Sequence, residues 1–314
     1  MKIIFMGTPD FSVGTLRALH AAGHEIVLAV TQPDKPRGRS KKPAYSPVKE
    51  EAFRMDIPVY QPERIRNPEC TDYLQSFAPD VIVVVAFGQI LPKSILDLPR
   101  YGCVNVHASL LPKYRGAAPI QWAVLNGDAV SGVTTMQMDE GMDTGDILLT
   151  EEVALNARET GGSLFDRLAE TGAALAVRTL AALEEGSVTP VPQDADAATY
   201  TRMIKKEDGR IDFAESARAI ERRIRAMNPW PSAYTKLGNK TLKIWEAEVL
   251  LTAGRAGVPG EVRTVDKDHF TVQTGDGLLC VREVQLEGKK RMDCGAFLRG
   301  YDLQPGTILG VECE

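Results

Sequence analysis

An amide and an imidazole stand two residues apart in this chain, where the pattern predicts the end of a strand. Asn105 and His107 follow the apolar pair Cys103-Val104, and alternate residues of a strand project from the same face. An amide can donate hydrogen bonds to a carbonyl oxygen that gains negative charge, while an imidazole can transfer protons near neutral pH. The pair therefore suits a reaction in which an amine attacks a carbonyl group and loses a proton.

Asp143 is a third candidate, because a carboxylate could fix the charge state of the imidazole. Each residue also has a structural interpretation. An Asn-x-His pair on a buried strand is usually a hydrogen-bonded structural pair, and an aspartate near glycines usually forms a turn. The segment 109–119 favours the catalytic interpretation, because Pro112, Gly116 and Pro119 interrupt it. This pattern predicts a shaped loop that leads into a helix, and such loops at strand ends are where sites are built.

The composition is that of an ordinary globular protein. A chain of 314 residues, 44% hydrophobic and 25% charged, favours two domains. It has no run of about 18 apolar residues, and Met1–Phe5 begins a strand pattern rather than a signal peptide, so we expect a cytoplasmic monomer without membrane contact. The five cysteines and four histidines lack metal-ligand spacing, so we expect no metal. The net charge of −5 gives no overall sign of RNA binding, so any contact with RNA would depend on local basic patches.

Alternating strand and helix patterns in the first half predict a doubly wound α/β domain with a parallel sheet. Val81–Val85 is a continuous β-branched run, typical of a central strand buried on both faces. Gly7-Thr8-Pro9 is not Gly-x-Gly-x-x-Gly, so we expect no NAD. Short strands with glycine turns in the last third predict a small barrel or a sandwich. The predicted organisation is a domain at 1–189, a linker at 190–207 and a domain at 208–314.

The motifs Asn105-Val106-His107, Ser109-Leu110-Leu111-Pro112 and Asp143-Thr144-Gly145 resemble those of the folate-dependent formyltransferases. Further matching segments are Met6-Gly7-Thr8-Pro9-Asp10-Phe11, Thr31-Gln32-Pro33-Asp34-Lys35-Pro36 and Asn228-Pro229-Trp230-Pro231. Within the family, the resemblance is closest to the members that formylate methionyl initiator tRNA for translation initiation. It implies a Rossmann-like formyltransferase domain, an OB-like C-terminal domain that binds tRNA, and 10-formyltetrahydrofolate as co-substrate.

The resemblance also implies roles for individual residues. Asn105 would donate its amide to the developing oxyanion, and His107 would act as a second donor or a proton relay. Asp143 would orient His107 and take up the amine proton. Backbone groups of one segment would hold the pterin of the folate, and a second segment would line the site. These folate-site residues are Phe87, Gly88, Gln89, Ile90, Leu91, Ser109, Leu110, Leu111 and Pro112.

The basic segment Lys35–Lys49 is predicted to contact RNA. It carries six basic residues, no acidic residue, three prolines and a glycine, so we expect it to be irregular and mobile. A solvated surface loop can have the same composition. Because the segment follows a strand of the predicted sheet, it could instead bind a phosphate backbone, as a similar loop does in the family members that act on tRNA. The residues expected at the tRNA are Arg37, Arg39, Lys41 and Lys42, with Arg39 as the main contact.

Two basic runs near the C-terminal end, 222–225 and 289–291, could also face RNA, although a solvated helix and a turn explain them equally well. Two other functions stay open at this point. The acceptor could be the amine of a sugar nucleotide, or the chain could be a non-catalytic RNA-binding protein on the same fold. The basic segment argues against the first, and the intact Asn-His-Asp set argues against the second.

Overall fold

The structure, a computed structural model, describes residues 1–36, 43–250 and 257–311. Contacts between residues divide the chain into two compact units. The first unit comprises Met1–Pro119, Val130–Ala154 and Phe165–Thr201, and the second comprises Ile120–Ala129, Leu155–Leu164 and Arg202–Glu314. The units are thus interleaved in sequence, and residues 190–201 belong to the first. The domain boundaries proposed from the sequence stay a prediction.

A mixed sheet forms the centre of the first unit. The strands of this unit are β1 (Lys2–Gly7), β2 (Glu25–Val30), β3 (Lys35–Pro36), β4 (Pro43–Ala44), β5 (Val59–Tyr60), β6 (Val81–Val85), β7 (Cys103–His107), β8 (Arg115–Gly116), β9 (Val130–Gln137), β10 (Ile147–Ala154) and β11 (Tyr200–Thr201). The main sheet has the order β10-β9-β7-β6-β1-β2-β5. From β5 to β7 the neighbouring strands run parallel, which confirms the predicted α/β fold class.

Two antiparallel strands extend this sheet at one edge. β9 pairs with β7 and β10 pairs with β9, both antiparallel. β10 gives no clear strand pattern in the sequence, because Thr150, Glu151 and Glu152 make it polar at its centre. Antiparallel neighbours need only a short connection. That connection, residues 138–146, carries Asp143.

The carboxyl ends of β1 and β6 form a topological switch point. The chain passes from β1 to β2 on one side, and β6 lies on the other side of β1. Ligands of open α/β sheets bind in the crevice at such a point. Thr8 follows β1 and Phe87 follows β6, and Thr8 Oγ1 donates to the Phe87 carbonyl at 3.3 Å. β6 is buried throughout, as its β-branched run predicted.

Helices connect the strands of the first unit and also occur in the second. They are α1 (Asp10–Ala21), α2 (Pro47–Arg54), α3 (Pro68–Gln75), α4 (Lys93–Leu96), α5 (Pro119–Asn126), α6 (Gly161–Glu185), α7 (Ala217–Ala226) and α8 (Cys294–Gly300), with a 3₁₀ turn at Lys206–Gly209. Ser46 caps α2, since its Oγ accepts from Lys49 N at 3.2 Å. α3 starts at Pro68, since proline is favoured in the first turn of a helix.

An antiparallel sheet forms the second unit. Its strands are β12 (Ala233–Leu237), β13 (Lys240–Leu250), β14 (Val262–Val265), β15 (Phe270–Gln273), β16 (Leu278–Leu286) and β17 (Met292–Asp293), in the order β12-β13-β16-β15-β14 with β17 beside β16. Residues 306–310 bridge the two edges. Leu309 N donates to Gly260 O at 2.8 Å, next to β14, and Gly310 N donates to Lys236 O of β12 at 2.9 Å. This closure agrees with the predicted small β-barrel.

No helix in the described ranges has both the length and the apolar composition needed to cross a membrane.

Candidate active site

β7 presents Asn105 and His107 at the carboxyl edge of the sheet. Every residue of Cys103–His107 is buried between β6 and β9, and Asn105 and His107 lie opposite Met136 and Thr134 of β9. The two residues retain only 9% and 7% exposure. Because water is largely excluded, hydrogen bonds made by these side chains are electrostatically stronger than in bulk solvent.

The β9–β10 connection brings Asp143 to this pair. Asp143 Oδ1 accepts from the Asn105 amide at 3.5 Å, and Oδ2 lies 3.8 Å from His107 Nδ1. Oδ2 also accepts from the backbone N–H of Gly116 at 2.8 Å. The φ angle of Asp143 is +53°, in the left-handed region that aspartate tolerates better than most residues. The structure therefore brings Asn105 and His107 to one carboxylate.

The orientation of the His107 ring follows from a hydrogen bond on its far side. Nε2 lies 3.0 Å from the Tyr114 carbonyl oxygen, which can only accept, so Nε2 carries a hydrogen. Nδ1 is then the nitrogen that can gain or lose a proton, and it is the nitrogen that faces Asp143. Tyr114 has a φ of +60°, and this left-handed residue belongs to the interrupted segment 109–119.

Cys103 lies on the same strand and is a possible competing nucleophile. Burial raises the pKa of its thiol to about 12. The thiol is therefore protonated at neutral pH, and the thiolate is the form of cysteine that attacks. The site therefore favours direct attack of an amine on a carbonyl group over a route through a cysteine-bound intermediate.

Arg115 and Gln193 form a layer behind Asp143 that the sequence analysis missed. Gln193 Nε2 donates to the backbone carbonyls of Asp143 and Gly145, at 2.8 and 2.7 Å. Arg115 donates to Gln193 Oε1 through Nε at 3.0 Å and Nη2 at 2.8 Å, and through Nη1 to Tyr200 Oη at 3.2 Å. Gln193 lies in the segment predicted as a linker, where no periodicity indicated its role.

Gly116 completes the support of Asp143. Its φ is +99°, and a Cβ atom there would lie 2.5 Å from the Thr201 carbonyl oxygen. Only glycine can therefore present its N–H to Asp143 Oδ2 from this position without a shift of the backbone. β8, which contains Gly116, pairs in parallel with β11, which contains Thr201.

The first predicted folate segment lies beside the β1–β6 switch point. The Phe87 carbonyl accepts from Thr8 and from Gln32 Nε2, the latter at 3.2 Å. The Gln89 side chain is held by the backbone, because Oε1 accepts from Ile65 N at 2.8 Å. Phe87 and Leu91 are buried, whereas the Ile90 side chain is 67% exposed. This segment thus offers an exposed apolar side chain on a fixed backbone, which suits an aromatic ligand.

The second predicted folate segment is held by its own hydrogen bonds. Ser109 Oγ donates to Lys113 O at 2.6 Å, and the residue is 1% exposed. Thr134 of β9 donates to Ser109 O at 2.7 Å and accepts from Leu111 N at 3.1 Å. The Ser109 hydroxyl therefore shapes the loop. A contact of Leu110, Leu111 or Pro112 with folate stays a prediction.

The predicted tRNA contacts Arg37, Arg39, Lys41 and Lys42 lie outside the described residues. β3 and β4 flank them and pair antiparallel. Lys49 lies in α2, where its Nζ is 2.6 Å from both Asp34 Oδ2 and Gln61 Oε1. Burial alone would raise the pKa of Asp34, but the hydrogen bonds from Lys49 and Gln61 outweigh it and lower this pKa. Lys49, one of the six basic residues of the segment, is therefore engaged by Asp34 and Gln61.

Ion pairs occupy much of the two basic runs in the second unit. Arg223 Nη2 donates to both carboxylate oxygens of Glu215, and Arg225 pairs with Glu221. In the second run, Arg291 pairs with Glu283. These partners reduce the positive charge that either run could offer to RNA, and a tRNA contact of this unit stays a prediction.

A metal centre is not apparent among the described residues, where no group of three or more His, Cys, Asp or Glu side chains is placed to hold an ion.

Comparison with known proteins identifies the family. The sequence family described as Formyl transferase matches residues 1–180, and its C-terminal domain family matches residues 203–302. A methionyl-tRNA formyltransferase from Lachnospira eligens is 59% identical over 314 residues, which cover 99% of this chain and all of the relative. The chain belongs to the methionyl-tRNA formyltransferase family. The Asn-His-Asp cluster lies within residues 1–180, the part that matches the Formyl transferase family.

Solved formyltransferases share the fold. WlaRD, a sugar 3N-formyltransferase crystallised with dTDP and 5-N-formyl-THF, has a TM-score of 0.65 at 19% identity, over 92% of this chain and 99% of its own. HypX from Aquifex aeolicus, crystallised with tetrahydrofolic acid, has a TM-score of 0.60 at 18% identity, over 96% of this chain and 47% of its own. At such identities the likeness concerns the fold alone.

Proposed function

We propose that this enzyme transfers the formyl group of 10-formyltetrahydrofolate to the α-amino group of methionine esterified to initiator tRNA. One observation carries the proposal. A buried amide and an imidazole meet a single carboxylate at the carboxyl edge of the sheet, in a chain that is 59% identical along its length to a methionyl-tRNA formyltransferase. This cluster can stabilise an oxyanion and remove a proton from an amine.

The free α-amine attacks the formyl carbon, forming a C–N bond and a tetrahedral oxyanion. The Asn105 amide donates to this oxyanion, which strengthens a hydrogen bond at the moment when charge develops. Nδ1 of His107 accepts or relays the amine proton, and the Asp143 carboxylate 3.8 Å away stabilises the imidazolium that results. Cleavage of the bond between N10 and the formyl carbon then releases tetrahydrofolate, which takes up a proton, and leaves the formamide on methionine.

The folate is proposed to bind at the β1–β6 switch point, with its pterin against the backbone of Phe87–Leu91. The exposed side chain of Ile90 and the hydrogen-bonded Phe87 carbonyl support this placement. HypX, which shares the fold, has been crystallised with tetrahydrofolic acid. The segment Ser109–Pro112 follows β7 and is proposed to line the adjoining side of the site.

The tRNA is proposed to contact Arg37, Arg39, Lys41 and Lys42, which lie between β3 and β4. The pairing of β3 with β4 supports this proposal, because it joins the residues on either side of these four, 35–36 and 43–44, in the part of the chain that follows β2. Arginine and lysine side chains there would bind phosphates and release counterions. Arg39 is proposed as the main contact, because a guanidinium can bridge phosphates or stack on a base.

Formylation of charged tRNA tests the proposal directly. The full chain is incubated with 10-formyltetrahydrofolate and initiator methionyl-tRNA, and N-formylmethionine is measured after hydrolysis of the ester. Elongator methionyl-tRNA and a dTDP-linked amino sugar serve as alternative acceptors. We expect the highest kcat/KM with the initiator tRNA. A higher kcat/KM with the amino sugar, or no formylation of either tRNA, would overturn the proposal.

A further inference from the structure

One glutamine side chain holds the backbone of the Asp143 loop at two points. Gln193 Nε2 donates to the carbonyls of Asp143 and Gly145, at 2.8 and 2.7 Å. Both hydrogens of the amide are used, and both acceptors belong to the connection that carries the carboxylate. A shift of Gln193 would therefore release the loop on both sides of Thr144.

The direction of the Gln193 amide is fixed by a guanidinium. Nε and Nη2 of Arg115 both donate to Gln193 Oε1, at 3.0 and 2.8 Å. A guanidinium only donates, so the oxygen has to face Arg115 and the NH₂ group has to face the loop carbonyls. Arg115 is 4% exposed, and its third hydrogen bond, to Tyr200 Oη, limits its freedom further.

The backbone next to Arg115 also holds the carboxylate of Asp143. Gly116, the residue after Arg115, donates its N–H to Asp143 Oδ2 at 2.8 Å. Arg115 and Gly116 form β8, which pairs with β11 in the segment that also contains Gln193. The backbone and the side chain of Asp143 are thus held by groups that are joined to each other. These hydrogen bonds hold Asp143 at a φ of +53°, a left-handed conformation that an unsupported loop would tend to leave.

We propose that Gln193, oriented by Arg115, is a positioning residue that sets Asp143 against His107 for the proton transfer. The proposal rests on the formyl transfer described above. Gln193 contacts the loop backbone and not the reacting atoms, so it acts through Asp143. Loss of its two donated hydrogen bonds should slow the chemical step and leave substrate binding largely intact.

Two substitutions of Gln193 test the proposal without emptying its space. Gln193→Glu keeps the size and adds an ion pair with Arg115, but it places acceptor oxygens against both carbonyls. Gln193→Met keeps the length and removes the donors without adding charge. We expect each variant to lower kcat about 10- to 100-fold, with KM for both substrates within about twofold and the melting temperature nearly unchanged. Gln137→Glu is the matched control, since Gln137 Nε2 donates to Cys103 O at 3.2 Å, outside the loop.

A double-mutant cycle separates positioning from general weakening of the fold. In an Asp143→Asn background, Gln193→Glu should cause less than about a twofold further loss of kcat, because the carboxylate that it positions is gone. An equal further loss in that background, or full kcat in both Gln193 variants, would overturn the proposal.

Hydrogen exchange provides a readout that does not depend on activity. Exchange at the Gly116 amide and within 138–146 should be faster in Gln193→Glu, while exchange in β6 stays unchanged. Unchanged exchange at Gly116 would contradict the proposal even if activity fell. If the parent formylated no acceptor, the proposed function would fail by itself, and the exchange data would still decide whether Gln193 holds the loop.

Discussion

Replacing the Asp143 carboxylate with an amide should slow formyl transfer strongly. Asp143→Asn keeps the size of the side chain, and its amide oxygen can still accept from Gly116 N. It removes the negative charge 3.8 Å from His107 Nδ1. At an effective dielectric constant of about 20, that charge is worth about 4 kcal/mol to an imidazolium at this distance.

This energy sets the expected size of the effect. About 4 kcal/mol corresponds to nearly three orders of magnitude in rate. The side chains of His107 and Asp143 are 9% and 18% exposed, so solvent screens part of the interaction. We therefore expect the chemical step to slow about 10²- to 10³-fold, with little change in the KM for either substrate.

Single-turnover kinetics measure this step without interference from product release. Enzyme in excess is mixed with charged initiator tRNA and saturating 10-formyltetrahydrofolate, and formylmethionine is quantified at each time point. Glu140→Gln is the matched control, because it removes an exposed carboxylate from the same connection. If Asp143→Asn kept a rate within about threefold of the parent, the electrostatic role assigned to Asp143 would be wrong.

Four further predictions concern other parts of the molecule. Gly116→Ala should cost about 2 kcal/mol or more in unfolding free energy and reduce kcat, because its Cβ would meet the Thr201 carbonyl; calorimetry and kinetics check this. The hydrogen bond from Arg202 lowers the pKa of Asp208 to about 2 from 3.8. Asp208→Asn should therefore lower the free energy of unfolding by about 1 kcal/mol at pH values above 3.8, after allowance for solvent screening. The difference between variant and parent should shrink as the pH falls towards 2, and denaturant titrations at several pH values would show this. Arg39→Ala should raise KM for tRNA but not for folate and lower the salt slope of tRNA binding by about one, unless the segment is only a solvated loop. Dialysis against a chelator, with magnesium restored for the tRNA, should leave kcat unchanged, and activity that tracked bound zinc would contradict this.

The parts of the fold that sequence predicted well are those with strong local patterns. Val81–Val85 could be predicted as a buried central strand, because five consecutive apolar β-branched residues are typical of a strand that is buried on both faces. Asn105 and His107 could be placed on one face of a strand, because strand alternation depends only on neighbouring residues. β10 was not predicted, because an edge strand with a polar centre shows no run of apolar or β-branched residues.

The support of the site could not be predicted for a different reason. The hydrogen bonds of Gln193 to the loop carbonyls reach partners 48 and 50 residues away, and those of the Arg115 side chain reach partners 78 and 85 residues away. Contacts over such separations leave no periodic signal in a single sequence, and the surrounding prolines and aspartates are typical of a linker. The same holds for Gly116, whose left-handed φ and closeness to Thr201 depend on the pairing of β8 with β11.

The closure of the second unit by residues 306–310 has a consequence for the order of folding during synthesis. β12 leaves the ribosome well before the segment that covers its edge through Gly310 and Lys236. Residues 210–211 already bridge β12 at Tyr234, but until the later segment arrives the Lys236 carbonyl and the outer edge of β14 lack these partners, and such unpaired backbone groups are templates for association with other chains. Closing contacts between residues so distant in sequence form slowly. The second unit is therefore exposed to association with other chains until residues 306–310 have been synthesised, and a truncation that removes them should leave β14 exposed in the finished protein.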